Sequence, residues 1–249
     1  MEAIGLYGID FSFKKNHYLL QGANLSVQQG EILCICGTSG QGKSSLLRIL
    51  AGLEKPDSGQ ILYNGVESSP EEHSALNIAH RKVAYLLQNS ALINNLNVRD
   101  NVALPMRYHQ VCSEPEIIEK VNRVLSSMLV SEFADEFPFQ LSMGIRKRVA
   151  LARALIMDPT ILLMDEPTSG LDNVNRRLLL TLIDNLKELQ NTTILIVTHD
   201  LLIAKELKIK ICFLHKGLLT HPHYFEQLLT SDYDFVQEML QEVINRVRK

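Results

Sequence analysis

Unbroken apolar runs recur along this chain at Ile32-Leu33-Cys34-Ile35-Cys36, Ile161-Leu162-Leu163-Met164 and Ile194-Leu195-Ile196-Val197. A fourth, Ile209 to Leu214, is broken only by Lys210. Short runs without polar alternation suit strands buried on both faces. A further strand is predicted at Lys82 to Leu87, ending at Gln88. Helices are predicted at Asn175 to Leu189 and Leu201 to Leu207. Strands alternating with helices in this way predict an α/β fold with a largely parallel sheet covered on both faces.

The first part of the chain has a different texture. Ile4 to Phe13 is extended and bears aromatics, Leu25-Ser26-Val27 alternates, and Gln28-Gln29-Gly30 turns into the strand at Ile32. Gln60 to Tyr63 is another strand, with Asn64-Gly65 as a tight turn after it. These stretches predict an N-terminal antiparallel β region. Glu67 to His80 is polar and reads as an exposed loop.

From Leu96 to about Leu155 strand signals are few. Helices are predicted at Val98 to Tyr108, Glu116 to Leu129 and Ser142 to Met157, with Pro105 shortening or kinking the first. Residues 1–88 and 156–222 thus form the expected core, 89–155 an inserted α-helical subdomain, and 223–249 a helical tail. In that tail Phe225, Leu228, Leu229, Phe235, Val236, Met239, Leu240, Val243 and Val247 recur at three- and four-residue steps. Such a stripe caps its own domain or offers a face to a partner.

Composition narrows the classes. With 249 residues, 46% hydrophobic and 21% charged, the chain can bury a sizeable core. A net charge of -3 and a pI near 6.2 argue against nucleic acid as the main partner. No apolar run is long enough to span a bilayer, and Met1-Glu2-Ala3 opens no basic-then-apolar leader, so a cytosolic location is expected. Cys34 and Cys36 share one strand face and read as small core residues; a zinc site would need further, suitably spaced ligands.

The strand at Ile32 leads into Gly37-Thr38-Ser39-Gly40-Gln41-Gly42-Lys43-Ser44, and Ser45-Leu46-Leu47 continues as a helix. Strand, glycine-rich loop and helix in this order make a P-loop. The backbone N–H groups and the positive helix end cradle phosphate, Lys43 reaches the outer phosphates, and the Ser44 hydroxyl can hold Mg²⁺. Asp165 and Glu166 close the strand Ile161–Met164, at the edge where open α/β sheets bind ligands. Asp165 is placed for Mg²⁺ and Glu166 for activating water as a general base. His199 leaves the next strand at the same edge, to contact a γ-phosphate or orient Glu166 and its water. Gln88 could reach Mg²⁺ or that water, or be a solvated side chain. Phe13 could stack on adenine, or be an edge aromatic. Ser142 is a good N-cap for a helix carrying Arg146-Lys147-Arg148, which could offer a second phosphate-binding helix end or be an ordinary capped helix with a solvated basic face.

Taken in order, these motifs resemble the ATPase subunits of ABC transporters along nearly the whole chain. Gly37–Ser44 looks like Walker A, Gln88 the Q-loop, Leu141-Ser142-Met143-Gly144-Ile145 the signature, and Ile161–Glu166 Walker B with its catalytic Glu. Ser169-Gly170-Leu171-Asp172 looks like the D-loop, His199 the switch histidine, and Phe13 the adenine-stacking aromatic. The resemblance implies a P-loop NTPase core and ATP with Mg²⁺. It implies nucleotide contacts from Phe13, Gly37 to Ser45 and Gln88, with Ser44, Gln88 and Asp165 around the metal. It also implies a head-to-tail homodimer in which Ser142 and Gly144 contact the partner copy's ATP. Integral membrane permease subunits would be driven by ATP turnover, which places the chain at the cytoplasmic face of the inner membrane.

A narrower resemblance joins residues 87–92, 96–105 and 144–155 to the Mla/Mce-type phospholipid transport ATPases. That branch implies an Mce-domain substrate-binding protein and a small STAS-domain protein as further partners. Phe137-Pro138-Phe139-Gln140-Leu141-Ser142 instead suits lipoprotein-release or cell-division ATPases. Met143, where the signature usually has Gly, is the feature that would suit an ATP-binding regulatory module with weak hydrolysis.

Overall fold

The computed structural model describes residues 1–14, 17–68, 82–228 and 233–247. The predicted loop Glu67–His80 falls largely outside them. Two sheets form. β1 (Glu2–Lys14) and β2 (His17–Gln28) pair antiparallel, and β4 (Ser58–Tyr63) and β5 (Val66–Glu67) extend them in the order β2-β1-β4-β5. The antiparallel region is therefore present, and β2 is much longer than Leu25–Val27 alone suggested. Register shifts along β1–β2 interrupt its alternation, which hides the strand from a period-two reading. Asn64 and Gly65 both have positive φ (51° and 76°), as a tight hairpin turn requires.

The second sheet contains β3 (Ile32–Cys36), β6 (Val83–Leu86), β7 (Ile161–Asp165), β8 (Thr193–Thr198) and β9 (Lys210–His215). These five run parallel in the order β9-β3-β8-β7-β6, and two-residue strands β10 (Leu218–Leu219) and β11 (His223–Tyr224) pair antiparallel with β9. β3, β7, β8 and the middle of β9 are buried on both faces, as their apolar runs predicted, whereas β6 at the edge is half-buried. Leu33, Ile35, Leu163, Leu195 and Val197 pack with α1 (Lys43–Leu50) and the antiparallel sheet. Cys34, Cys36, Leu162, Met164, Ile194 and Ile196 face the other way, into a core built with the helices between β6 and β7.

Those helices are α2 (Val98–His109), α3 (Glu114–Ser127) and α4 (Met143–Leu155). α2 runs through Pro105 instead of ending at it. Its start is fixed by the Asn97 side chain, which accepts the Asp100 N–H. α5 (Asn173–Gln190) is capped by Asp172, and α6 (Leu202–Glu206) precedes β9. Two tail helices, α7 (Phe225–Leu228) and α8 (Asp234–Val247), bury Leu228, Val236 and Leu240 in the core beneath them. The Phe235 ring lies flat on His215, centroids 4.2 Å apart. This part of the tail is a cap of its own domain. No described helix is long and apolar enough to cross a membrane.

Candidate functional site

Strand register delivers the candidate residues to one edge. Cys36 lies opposite Thr198, Asp165 opposite Val197, and Leu86 opposite Met164. The chain just past each strand end, at Gly37, Gln88, Glu166 and His199, therefore emerges on the same side of the sheet.

The loop from Gly37 to Gly42 wraps around Lys43, whose Nζ donates to the carbonyls of Gly37 (2.7 Å) and Thr38 (3.0 Å). Burial lowers the Lys43 pKa, while Glu166, Cys36 and Asp165 pull it back up. Gly40 and Gly42 have φ of +84° and +95°, a conformation only glycine takes easily. A Cβ on Gly42 would also press on Leu19 of β2. Gln41 is tied to the β9–β10 turn, its Oε1 accepting the Lys216 N–H. Thr38, Ser39 and Gly40 are exposed, whereas Ser45 is buried in α1.

Ser44 donates to Asp165 Oδ1 at 3.1 Å, joining the P-loop helix to the end of β7. Tyr85 of β6 donates to the other oxygen, Oδ2, at 3.2 Å. Desolvation raises the Asp165 pKa, partly opposed by those two hydrogen bonds. Burial, then Asp165 itself, pushes the Tyr85 phenol well up, so it stays a donor. Tyr85 belongs to this cluster, although the sequence marked it only as a strand residue.

Glu166 has left-handed backbone, φ 46°, which turns its side chain toward the end of β8. Oε2 accepts the Thr198 hydroxyl at 3.0 Å. Oε1 accepts the His199 N–H at 3.0 Å and lies 2.8 Å from the ring Nδ1. A carboxylate only accepts, so Nδ1 carries the proton. Glu166 and His199 line a cavity of about 670 Å³ with Ser169, Gly170, Leu171, Arg176 and Asp200. A second apolar groove of about 670 Å³ lies along β6, between Tyr85, Leu87, Pro105, Met106, Arg153 and Met157.

The remaining candidates stand apart. The Gln88 side chain is exposed, and its backbone carbonyl accepts Lys147 Nζ at 2.8 Å. Phe13 is exposed on β1, its ring edge-on to Phe11 with centroids 5.0 Å apart. Ser142 caps α4 by accepting the Ile145 N–H at 3.4 Å. Gly144 is packed so closely on Asn175 that a Cβ would overlap that side chain. Neither hydrogen-bonds the P-loop of its own chain among the described residues.

The site fits a magnesium nucleotide. No side chain caps α1 and no acidic residue occupies its first turn, which leaves those N–H groups for phosphate oxygens. The Ser44 hydroxyl and the Asp165 carboxylate are the hard oxygen donors that Mg²⁺ takes.

Comparison with known proteins places this geometry. The sequence profile of the ABC transporter family matches residues 20–169. A methionine import ATP-binding protein, MetN of Legionella pneumophila (strain Lens), is 34% identical over 237 residues, covering 95% of this chain and 69% of its own. A sulfate/thiosulfate import ATP-binding protein, CysA of Pseudomonas syringae pv. tomato, is 39% identical over 203 residues, covering 80% of this chain and 61% of its own. The ATP-binding cassette MJ0796, solved as a dimer in a post-hydrolysis state with ADP and Pi, superposes with a TM-score of 0.80. It is 30% identical, with coverage of 89% of this chain and 98% of that one.

Proposed function

The chain belongs to the ABC transporter family, and from that membership we propose that two copies act together as the ATP-hydrolysing unit on a membrane permease. ATP hydrolysis coupled to transport, with Mg²⁺ as the metal, is the family's reaction. The observation that carries its assignment to this site is the Ser44–Asp165 hydrogen bond, which brings phosphate loop and acidic strand end together.

In this reading Lys43 and the first turn of α1 bind the outer phosphates, while Phe13 and the backbone of residues 37–45 hold the rest of the nucleotide. Ser44, Asp165 and Gln88 would hold Mg²⁺, which neutralises charge on the phosphate oxygens. Glu166 takes the proton from the attacking water, and His199 and Thr198 hold its carboxylate in place. Ser142 and Gly144 serve the partner copy's nucleotide. Their lack of contact with their own P-loop supports that assignment. The groove beside β6 and α2 receives the permease, since Gln88 lies at the end of the strand that lines it.

For the cargo we propose phospholipid, on the strength of residues 87–105 and 144–155, with Mce- and STAS-domain proteins as further partners. The methionine and sulfate import ATPases, at 34% and 39% identity, favour a small-solute importer as the second reading. Purification in gentle detergent separates them. A permease that copurifies with bound phospholipid supports the first, and a permease that binds methionine or an oxyanion the second. Absence of Mg²⁺-dependent phosphate release by the purified complex would overturn the enzymatic reading itself.

A further inference from the structure

α4 carries Lys147, Arg148 and Arg153, and none of the three makes an ion pair with a carboxylate among the described residues. Each donates instead to backbone carbonyls of loops that surround the helix. Lys147 Nζ reaches Gln88 O at 2.8 Å and Glu166 O at 3.0 Å. Arg148 reaches the carbonyls of Met128 (3.2 Å) and Leu129 (2.5 Å). Arg153 reaches those of Ser90 and Ala91, both at 2.8 Å. Each of the three side chains reaches at least one left-handed residue that is not glycine, four of the six acceptors in all. Glu166 has φ 46°, Leu129 56°, Ser90 63° and Ala91 44°. That conformation is unfavourable for a side chain with a Cβ and persists only where surrounding contacts hold it.

Lys147 is the one of the three that touches the reaction site. It is 3% exposed, so its ammonium is desolvated, and burial lowers its pKa against the pull of Glu166 and Asp165. A compact three-donor ammonium can hold two carbonyls at once, which a neutral apolar residue cannot. The Ser169 N–H also donates to the Glu166 carbonyl, at 3.2 Å, so the loop after β7 is fastened at the same atom.

We propose that Lys147 is a positioning residue for hydrolysis, one that fixes the backbone of Glu166 against Gln88 from the helix that begins at Ser142. A displacement of the segment after β6 then reaches Glu166 and the N-terminus of α4 through a single side chain. This rests on the assignment of Glu166 as the group that takes the proton from water.

The test is Lys147→Met in the full chain, with Glu166→Gln alongside, read by steady-state phosphate release and by equilibrium binding of a fluorescent ATP analogue. Expected for Lys147→Met is a kcat lowered tenfold or more with analogue affinity within twofold of wild type. Lys147→Arg should recover part of that loss. A Lys147→Met kcat within twofold of wild type overturns the proposal, as does a loss of affinity parallel to kcat. If Lys147→Met does not fold, Lys147→Gln decides: its amide is shorter and uncharged and holds the two carbonyls less firmly, so kcat falls several-fold at constant affinity, and wild-type kcat overturns the proposal. Unchanged turnover in Glu166→Gln sinks the underlying assignment; loss there with normal Lys147 variants sinks this inference alone.

Discussion

A single oxygen of Glu166, Oε1, accepts both the backbone N–H and the ring Nδ1–H of His199, at 3.0 and 2.8 Å. With Thr198 on Oε2, the carboxylate is held on both oxygens. Glu166→Gln keeps the shape, and its amide oxygen still accepts from His199, but the base is gone. A fall in kcat of about 10²–10⁴ is expected, with ATP still bound and the closed pair of copies accumulating. Phosphate release and size-exclusion chromatography in ATP check both halves. Turnover at the wild-type rate would remove Glu166 from the mechanism.

Asp165 must be ionised to hold a cation, and burial already raises its pKa above the usual carboxylate value. The Tyr85 hydroxyl is one of the groups that lower it. Tyr85→Phe therefore raises it further. Protons then compete with Mg²⁺ at a higher pH, so the acid limb of the Mg²⁺-dependent rate shifts toward neutrality. Asp165→Asn should raise the half-saturating Mg²⁺ by tenfold or more at every pH. A Tyr85→Phe profile that overlays wild type would show that the hydroxyl does not govern this carboxylate.

What was legible in the sequence lay next to strand ends. The loop Gly37–Ser44, Asp165, Glu166 and His199 each follow an apolar run, and a parallel sheet brings such positions to one edge. Tyr85 and Thr198 sit within strands, and nothing local marks a strand residue whose hydroxyl meets a carboxylate from a neighbouring strand. Lys147 did leave a signal: it lies four residues before Leu151 and eight before Leu155, a charge on the buried stripe of α4. The β1–β2 pairing was only partly readable, because its register shifts break the alternation that reveals a strand.

Met143 replaces the usual signature glycine and is 53% exposed, with its sulfur 2.5 Å from where a Cβ on Gly170 would stand. Only the far end of a flexible side chain is involved, so Met143 can move. Met143→Gly should leave kcat equal or higher. Gly170 has φ +75°, and Gly170→Ala should cost about 1–2 kcal/mol from backbone strain alone. The double variant should recover little of that, since the strain remains when the sulfur is gone. Full recovery in thermal melts would assign the cost to the Met143 contact instead, and a large loss of kcat in Met143→Gly would make the thioether functional.

Asn101 is fully buried at the start of α2 and knots the preceding loop to it. Its Oδ1 accepts the Ile93 N–H at 2.8 Å, and its amide nitrogen lies 2.9–3.0 Å from the carbonyls of Ile93, Leu96 and Asn97. Two N–H bonds serve three acceptors, so one is shared. Asn101→Leu keeps the volume but strands the Ile93 N–H and these carbonyls out of water. Unmet buried groups of this kind cost about 1–3 kcal/mol each, so a total of about 2–4 kcal/mol is expected after relaxation. At this chain length that is a fall in Tm of about 5–15 °C. Asn101→Asp should be at least as damaging, because a carboxylate would face three carbonyls with no proton to offer. ATP affinity measured well below the melting range should stay unchanged, since the P-loop makes none of these bonds. A Tm within a degree of wild type for Asn101→Leu would mean that the loop before α2 is held by its own turn, not by this side chain.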